Sequence, residues 1–215
     1  MSLWVIIPVK PLNLAKTRLA DVLTPSQRYE FAQSMLLQIL SVVTSVPHLA
    51  GTLVISRDTK ALSLARDFGA KTIQETGNSS LNEALTRATQ VVRMWGGEAV
   101  IIIPADLPFI TAYDLQEIIA IGSRITGIVV GTDLEGTGTN IMMMRPPGLI
   151  PYYYGANSFN LHIQAANELA VQHRIYEADN LLLDIDVPED LMQYNRRVLS
   201  GSYTYLPTFL PNQIN

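Results

Sequence analysis

Short apolar runs alternate along the chain with longer stretches in which apolar residues recur every three or four positions. Residues 3–8 (LWVIIP) form the first run, and their continuity predicts a buried strand. Thr24, Pro25 and Gln27 then carry a helix start: a cap, a proline at the first helical position and a capping-box partner. Ala32, Met35, Leu36, Ile39, Leu40 and Val43 give that helix one apolar face. Residues 52–56 predict a strand, 58–68 a helix stopped by Gly69, and 71–74 a short strand. Leu81, Ala84, Leu85, Ala88, Val92 and Trp95 mark another amphipathic helix, ended by Gly96 and Gly97. Residues 99–104 (AVIIIP) are the most hydrophobic run and predict a central strand. Thr111, with Asp114 three positions on, opens the next helix. Strands follow over 127–132 and 140–144, joined by a glycine-rich turn. Ser158 is a cap for a helix reaching about residue 172. Residues 174–177 and 181–186 read as extended, and Pro188 opens a last helix to 199.

Strands separated by helices of this length imply βαβ units: an α/β fold with a mostly parallel sheet and helices on both faces. The 215 residues suit one domain, over 1–200, followed by a tail over 201–215 with no clear periodicity. The tail's aromatics (Tyr203, Tyr205, Phe209) suit either self-association as a homodimer or packing on their own domain. Composition narrows the function classes. Zero cysteines exclude disulfides, thiolate metal sites and cysteine nucleophiles. A net charge of −4 argues against a broad nucleic-acid footprint. No apolar run approaches the roughly 18 residues of a membrane helix, and residues 1–4 lack a signal-peptide pattern. A cytoplasmic protein acting on small molecules is the expectation.

In such sheets ligands bind beyond the carboxyl ends of strands, so the residues just after strands carry the chemistry. Pro8, Val9 and Lys10, then Lys16 and Arg18, follow the first strand and could wrap a triphosphate. There is no GxGxxG and no Walker motif, which weighs against dinucleotide oxidoreductases and P-loop enzymes. Asp106, after the central strand, can hold Mg²⁺ beside a phosphate or simply stabilise a turn. Asp184 and Asp186, two apart on an extended segment, project together and repel unless a cation intervenes; alternatively Asp186 caps the last helix. The glycines of 136–140 (GTGTN) can turn successive N–H groups toward an anion, or form a plain turn. His162, one turn into the helix that Ser158 opens, reads as a packing residue and not as a proton carrier.

Taken in order, PVK with AKTRL, SLNEAL at 80–85, ADLP, GTGTN, YGANSF with His162, and LDIDVPEDL resemble the guanylyltransferases of coenzyme F420 biosynthesis, over residues 3 to about 195. The resemblance implies a three-layer, Rossmann-like nucleotidyltransferase fold of the glycosyltransferase-A type. It also implies transfer of GMP from GTP to the phosphate of phosphoenolpyruvate, or alternatively 2-phospho-L-lactate, with release of pyrophosphate. It places Lys10, Lys16 and Arg18 on the triphosphate, and Asp106, Asp184 and Asp186 on Mg²⁺. Asn82 falls near the nucleotide, and Thr139, Gly155 and Ser158 fall on the acceptor acid. The missing glycine-rich first loop weighs against sugar-phosphate and molybdenum-cofactor nucleotidyltransferases. The three carboxylates weigh against a non-catalytic nucleotide-binding protein.

Overall fold

The computed structural model describes residues 1–202 and 206–209. Seven strands and seven helices follow the alternation in the sequence: β1 (Leu3–Val9), α1 (Pro25–Ser45), β2 (Gly51–Ser56), α2 (Thr59–Asp67), β3 (Lys71–Gln74), α3 (Leu81–Met94), β4 (Ala99–Ile102), α4 (Ala112–Gly122), β5 (Gly127–Thr132), β6 (Thr139–Arg145), α5 (Ser158–Glu168), β7 (Gln172–Ile175), α6 (Asp179–Leu182) and α7 (Pro188–Arg197). The strands form one sheet in the order β3-β2-β1-β4-β6-β5-β7, so the AVII strand is central, as its hydrophobicity predicts. The expected capping boxes form at Thr24/Gln27 and Thr111/Asp114, and another forms at Ser80/Glu83.

Successive strand residues point to opposite faces, and that period divides the core in two. Val5, Ile7 and Ile101 face α1, α2 and α4, where they meet Leu36, Ala61 and Leu115. Ile6, Val100 and Ile102 face α3 and α5 and meet Leu85, Val92 and Ala166. A third cluster lies beyond the sheet: Leu19, Phe31, Phe109, Ile185 and Tyr194 join the first loop, α1 and α7. Residues 206–209 complete it. Tyr194 Oη donates to the Pro207 carbonyl at 2.7 Å, Asn195 pairs with the backbone of Phe209, and the Phe209 ring lies 4.7 Å from that of Phe31. Phe209 thus packs on its own domain, whereas Tyr203 and Tyr205 fall outside the described residues.

The sheet departs from the expected pattern in three places. β6 runs antiparallel to both β4 and β5, because the short turn after β5 leaves no room for a crossover. The helix expected to reach residue 172 stops at Glu168. Ala170 takes a left-handed φ of 54°, and residues 172–175 pair with β5 instead. Residues 181–186 are not a strand: 179–182 form one helical turn and 183–186 have no strand partner. Their alternation survives, however. Leu183 and Ile185 are buried in the third cluster, which leaves Asp184 and Asp186 to point the other way.

Asp114 ties this irregular segment to the sheet. Besides capping α4 through the N–H and hydroxyl of Thr111, its buried carboxylate accepts from Tyr176 Oη at 3.1 Å and Asn180 Nδ2 at 3.2 Å. Asp114→Ala is expected to lower unfolding free energy by about 2–4 kcal/mol, the sum of a lost cap and bonds to a buried charge, as read by urea denaturation.

Candidate active site

The first loop is pinned at both ends and charged between the pins. Leu12 is buried against α1 and its N–H donates to Asp58 Oδ2 at 2.8 Å; the other oxygen of Asp58 caps α2. Leu19 is buried in the third cluster. Between them Lys16 adopts a left-handed backbone (φ 55°), a conformation that costs about 1 kcal/mol or more outside glycine. Its side chain, only 7% exposed, explains why the turn persists. Lys16 Nζ donates to the Ile185 carbonyl at 2.5 Å and lies 3.3 Å from Asp106 Oδ2 and 3.6 Å from Asp186 Oδ1. Arg18, largely exposed, reaches the other oxygen of Asp186 at 3.5 Å. Lys10 is exposed on the rim of the same cleft.

The carboxylates expected to hold a cation therefore do gather. Burial, then Asp106, then Asp186, push Asp184 up to about 6. Asp186 does not cap α7: Asp190 does that, accepting from the N–H groups of Asp186 and Val187 at 2.9 and 2.8 Å. As they stand, no three acidic or histidine side chains among the described residues are close enough to hold a metal ion. The Lys16 ammonium supplies the positive charge instead. Hard oxygen donors under mutual repulsion, already balanced by one cation, are chemically suited to Mg²⁺.

A cavity of about 240 Å³ opens from this cluster. Pro8, Val9, Lys10, Lys16, Asp106 and Asp186 line one part of it. The loop after β3 and the start of α3 line the other: Glu75, Ser79, Ser80, Leu81 and Ala84, with Arg57 beside that loop. Asn82 is not in the lining. Its carboxamide pairs with the backbone of Tyr154 in both directions, accepting from the N–H at 2.8 Å and donating to the carbonyl at 3.1 Å. It joins the wall of the cavity to the YGANS segment.

At the start of β6 a buried polar chain connects Thr139, Ser158 and His162, all at most 5% exposed. Ser158 is the first residue of α5 and not its cap; the preceding Asn157 takes φ 59°. The Ser158 hydroxyl accepts from Thr139 N–H at 2.9 Å. His162 Nε2 accepts from Tyr153 N–H at 2.9 Å, which puts the ring proton on Nδ1, 2.9 Å from Thr139 Oγ1. Burial pushes His162 down to about 4, so the ring stays neutral and donates to Thr139. Both hydroxyls thus receive hydrogen bonds from behind. Their own protons have no acceptor among the described residues, leaving two donors to spend on an anion. Gly155 lies in the exposed bend before α5 with φ 133°, a conformation that favours glycine.

Two anchoring residues, Asp133 and Asp58, carry no signal in the sequence, and Asn140 of the GTGTN turn spends its donor on the chain itself. Asp133 lies just before the glycine-rich turn, and its carboxylate accepts from the N–H groups of Thr137 and Gly138 at 2.9 and 2.7 Å. The turn does converge on an anion, but the anion is the chain's own. Asn140 Nδ2 donates to the Leu181 carbonyl at 2.7 Å and positions the segment carrying Asp184 and Asp186. Asp58 holds the first loop. Asp133 and Asp58 each follow a strand, where short polar residues are too common to single out.

The two displaced pKa values oppose one another. A raised carboxyl pKa means the folded chain holds its proton more tightly, so Asp184 costs stability once pH rises through about 6. Between about pH 4 and 6.5 His162 is neutral in the folded chain and charged in the unfolded one, so its contribution is full above about 6.5 and is lost as pH falls toward 4. Asp184→Asn is expected to raise Tm by about 2–4 °C at pH 8, the effect of about 1 kcal/mol in a chain this size. The gap should close by about pH 4 in thermal melts across that range.

A family model described as "Guanylyl transferase CofC like" matches residues 3–212. A phosphoenolpyruvate guanylyltransferase of Rubrobacter xylanophilus is 35% identical over 210 residues, covering 96% of this chain and 98% of the relative. A 2-phospho-L-lactate guanylyltransferase of Methanocaldococcus vulcanius is 34% identical over 188 residues, covering 87% and 81%. Among solved structures, a provisionally assigned nucleotide-diphospho-sugar transferase of Desulfovibrio desulfuricans G20 superposes with a TM-score of 0.80 at 16% identity, covering 97% of this chain and 93% of that one. The last comparison supports the nucleotidyltransferase fold that the strand order displays. The match over nearly the whole length, to sequences of the same size, makes this chain a member of the CofC-like guanylyl transferase family.

Proposed function

We propose that the protein transfers GMP from GTP to the phosphate of phosphoenolpyruvate, releasing pyrophosphate, in the biosynthesis of coenzyme F420. The observation that carries this reading is the gathering of first-loop cations and three carboxylates beyond the ends of β1 and β4, with two hydroxyl donors at the same end of the sheet, outside the cavity lining. The relatives named for phosphoenolpyruvate support that acid, and those named for 2-phospho-L-lactate keep the second acid as the alternative.

The cavity holds the nucleotide, with Lys10, Lys16 and Arg18 on its phosphates beside Pro8 and Val9. Thr139 and Ser158 donate to the anionic acceptor, and Gly155 lets the chain pass close to it. Asn82 holds that segment to α3. A phosphate monoester loses its second proton near pH 6, so the nucleophile is already ionised at neutral pH and no general base is needed. His162, locked neutral, fits that scheme by orienting Thr139 without accepting a proton. An acceptor phosphate oxygen attacks the α-phosphorus of GTP, the bond from that phosphorus to the β-phosphate oxygen breaks, and pyrophosphate departs. Charge neutralisation and positioning supply the rate. Asp106, Asp184 and Asp186 would hold Mg²⁺, which supplies further positive charge against the repulsion of the two anions.

Purified protein with Mg²⁺, GTP and phosphoenolpyruvate is expected to release pyrophosphate and a guanosine diphospho-linked acid, read by coupled assay and mass spectrometry. Substituting 2-phospho-L-lactate ranks the two acids, and silence with both would overturn the assignment. Asp106→Ala should lower kcat by roughly 100-fold or more with the fold intact by circular dichroism; near-normal turnover would remove Asp106 from the reaction. Ser158→Ala should raise the acceptor KM by roughly tenfold, the scale of one hydrogen bond to a charged group, while leaving the GTP KM in place. An unmoved acceptor KM would leave Ser158 as an anchor for Thr139 only.

A further inference from the structure

The cavity has a second polar end that the phosphate-binding residues do not reach. β3 finishes at Gln74, and the next residue, Glu75, lines the wall together with Ser79 and Ser80. The Glu75 side chain is nine-tenths buried, with 10% of its surface exposed. Its N–H is tied to the Ser56 carbonyl at 2.9 Å, so the residue is fixed at the sheet edge. Oε1 is engaged by the Ser79 hydroxyl, which donates to it, and by Arg87 Nη1 at 3.8 Å. Oε2 has no partner among the described residues. Arg57 holds the neighbouring loop, donating to the Gly77 carbonyl at 3.2 Å and to Asn78 Oδ1 at 3.1 Å. A carboxylate with an unspent oxygen, sunk in a pocket wall, calls for N–H or O–H donors from a ligand.

The distance along the sheet says which part of a nucleotide arrives there. Glu75 follows β3 and Asp106 follows β4, three strand steps apart in the order β3-β2-β1-β4, or roughly 14 Å. That span passes from the phosphates beyond the ribose to the far edge of a base. The walls in between are apolar, with Leu12, Met35, Ile55 and Ala84 suited to the flat faces of a purine. Guanine presents two donors side by side on its pairing edge, N1–H and the 2-amino group. Adenine presents a ring-nitrogen lone pair there, which a carboxylate repels.

We propose that Glu75 is the guanine-reading residue, its carboxylate accepting from N1–H and the 2-amino group of GTP. The inference rests on the guanylyl-transfer reading above and assigns the base specificity of that same site. Oε1, already accepting from Ser79, keeps a lone pair for one of these bonds, and Oε2 takes the other. The arrangement discriminates among bases because a wrong partner leaves Oε2 of a largely buried carboxylate without a donor.

The test compares GTP, ITP, XTP and 2′-deoxy-GTP with wild type and Glu75→Gln. It measures kcat/KM by pyrophosphate release and nucleotide affinity by calorimetry without acceptor. ITP lacks only the 2-amino group, so wild type should prefer GTP over ITP by roughly 10- to 100-fold, the worth of one hydrogen bond to a charged group. In Glu75→Gln that ratio should fall toward one. XTP should gain on GTP by about tenfold or more, because a carboxamide can accept from N1–H and donate to the 2-carbonyl. A gain for XTP cannot come from misfolding, and the wild-type ratio needs no variant. Equal use of GTP and ITP by wild type, or unchanged ratios in Glu75→Gln, would overturn the proposal. So would a variant altered only in its discrimination between GTP and 2′-deoxy-GTP, which would put the carboxylate on the ribose. Failure of the transfer reading is separate: wild type would turn over neither acid, while the calorimetric GTP-to-ITP ratio would still judge Glu75.

Discussion

Three carboxylates lie together at the carboxyl end of the central strands, and the arrangement around them answers to their mutual repulsion. Asp106 and Asp186 are bridged by one ammonium, that of Lys16, while Asp184 behind them is partly relieved of charge by its raised proton affinity. Lys16 does this from a left-handed turn in a loop fastened on either side at Leu12 and Leu19. On the opposite side Asn140 and Asp114 hold the 176–186 segment so that its acidic residues face the lysine. Like charges held this close in an enzyme mark a place prepared for something cationic or for a substrate carrying a cation.

The sheet separates the tasks by strand. The end of β3 carries a carboxylate and apolar walls, the ends of β1 and β4 carry the charged cluster, and the start of β6 with the first residue of α5 carries the two hydroxyls. Reversal of β6 is what makes this last group available. A parallel strand would have brought its far end, Arg145, to the working edge, whereas the antiparallel run delivers Thr139 and Asn140 there. The sequence pattern revealed a strand at this position but not its direction, since a two-residue period is the same in both senses.

Much of the fold could be read from the chain because local and global preferences agree. The apolar run at 99–102 is central, capping residues start α1 and α4 where expected, and Gly69 and Gly96 follow their helices. The charged part of the site was legible as well, since Lys16, Asp106, Asp184 and Asp186 follow strands or alternate with buried neighbours. What escaped was pairing. Nothing in GTGTN says that Asp133 will satisfy its N–H groups, nothing in SLNEAL says that Asn82 will pair with the backbone of Tyr154, and Ser158 looks like a cap until Thr139 is found beside it. The first is a turn four or five residues long, and the other two span 72 and 19 residues and are decided by packing, not by neighbouring sequence. Glu75 was hidden for the same reason, as an ordinary polar residue at a strand end.

The two-way bond between Asn82 and the Tyr154 backbone has a mechanical meaning. A carboxamide that both accepts from and donates to one residue's peptide groups behaves as a short added strand, and it resists sliding in either direction. α3, whose first turn lines the cavity, and the bend leading into α5 are geared together at this one point. A shift of the first turn of that helix therefore carries the bend with it, and the Tyr154 backbone cannot move away from the cavity wall without breaking both bonds.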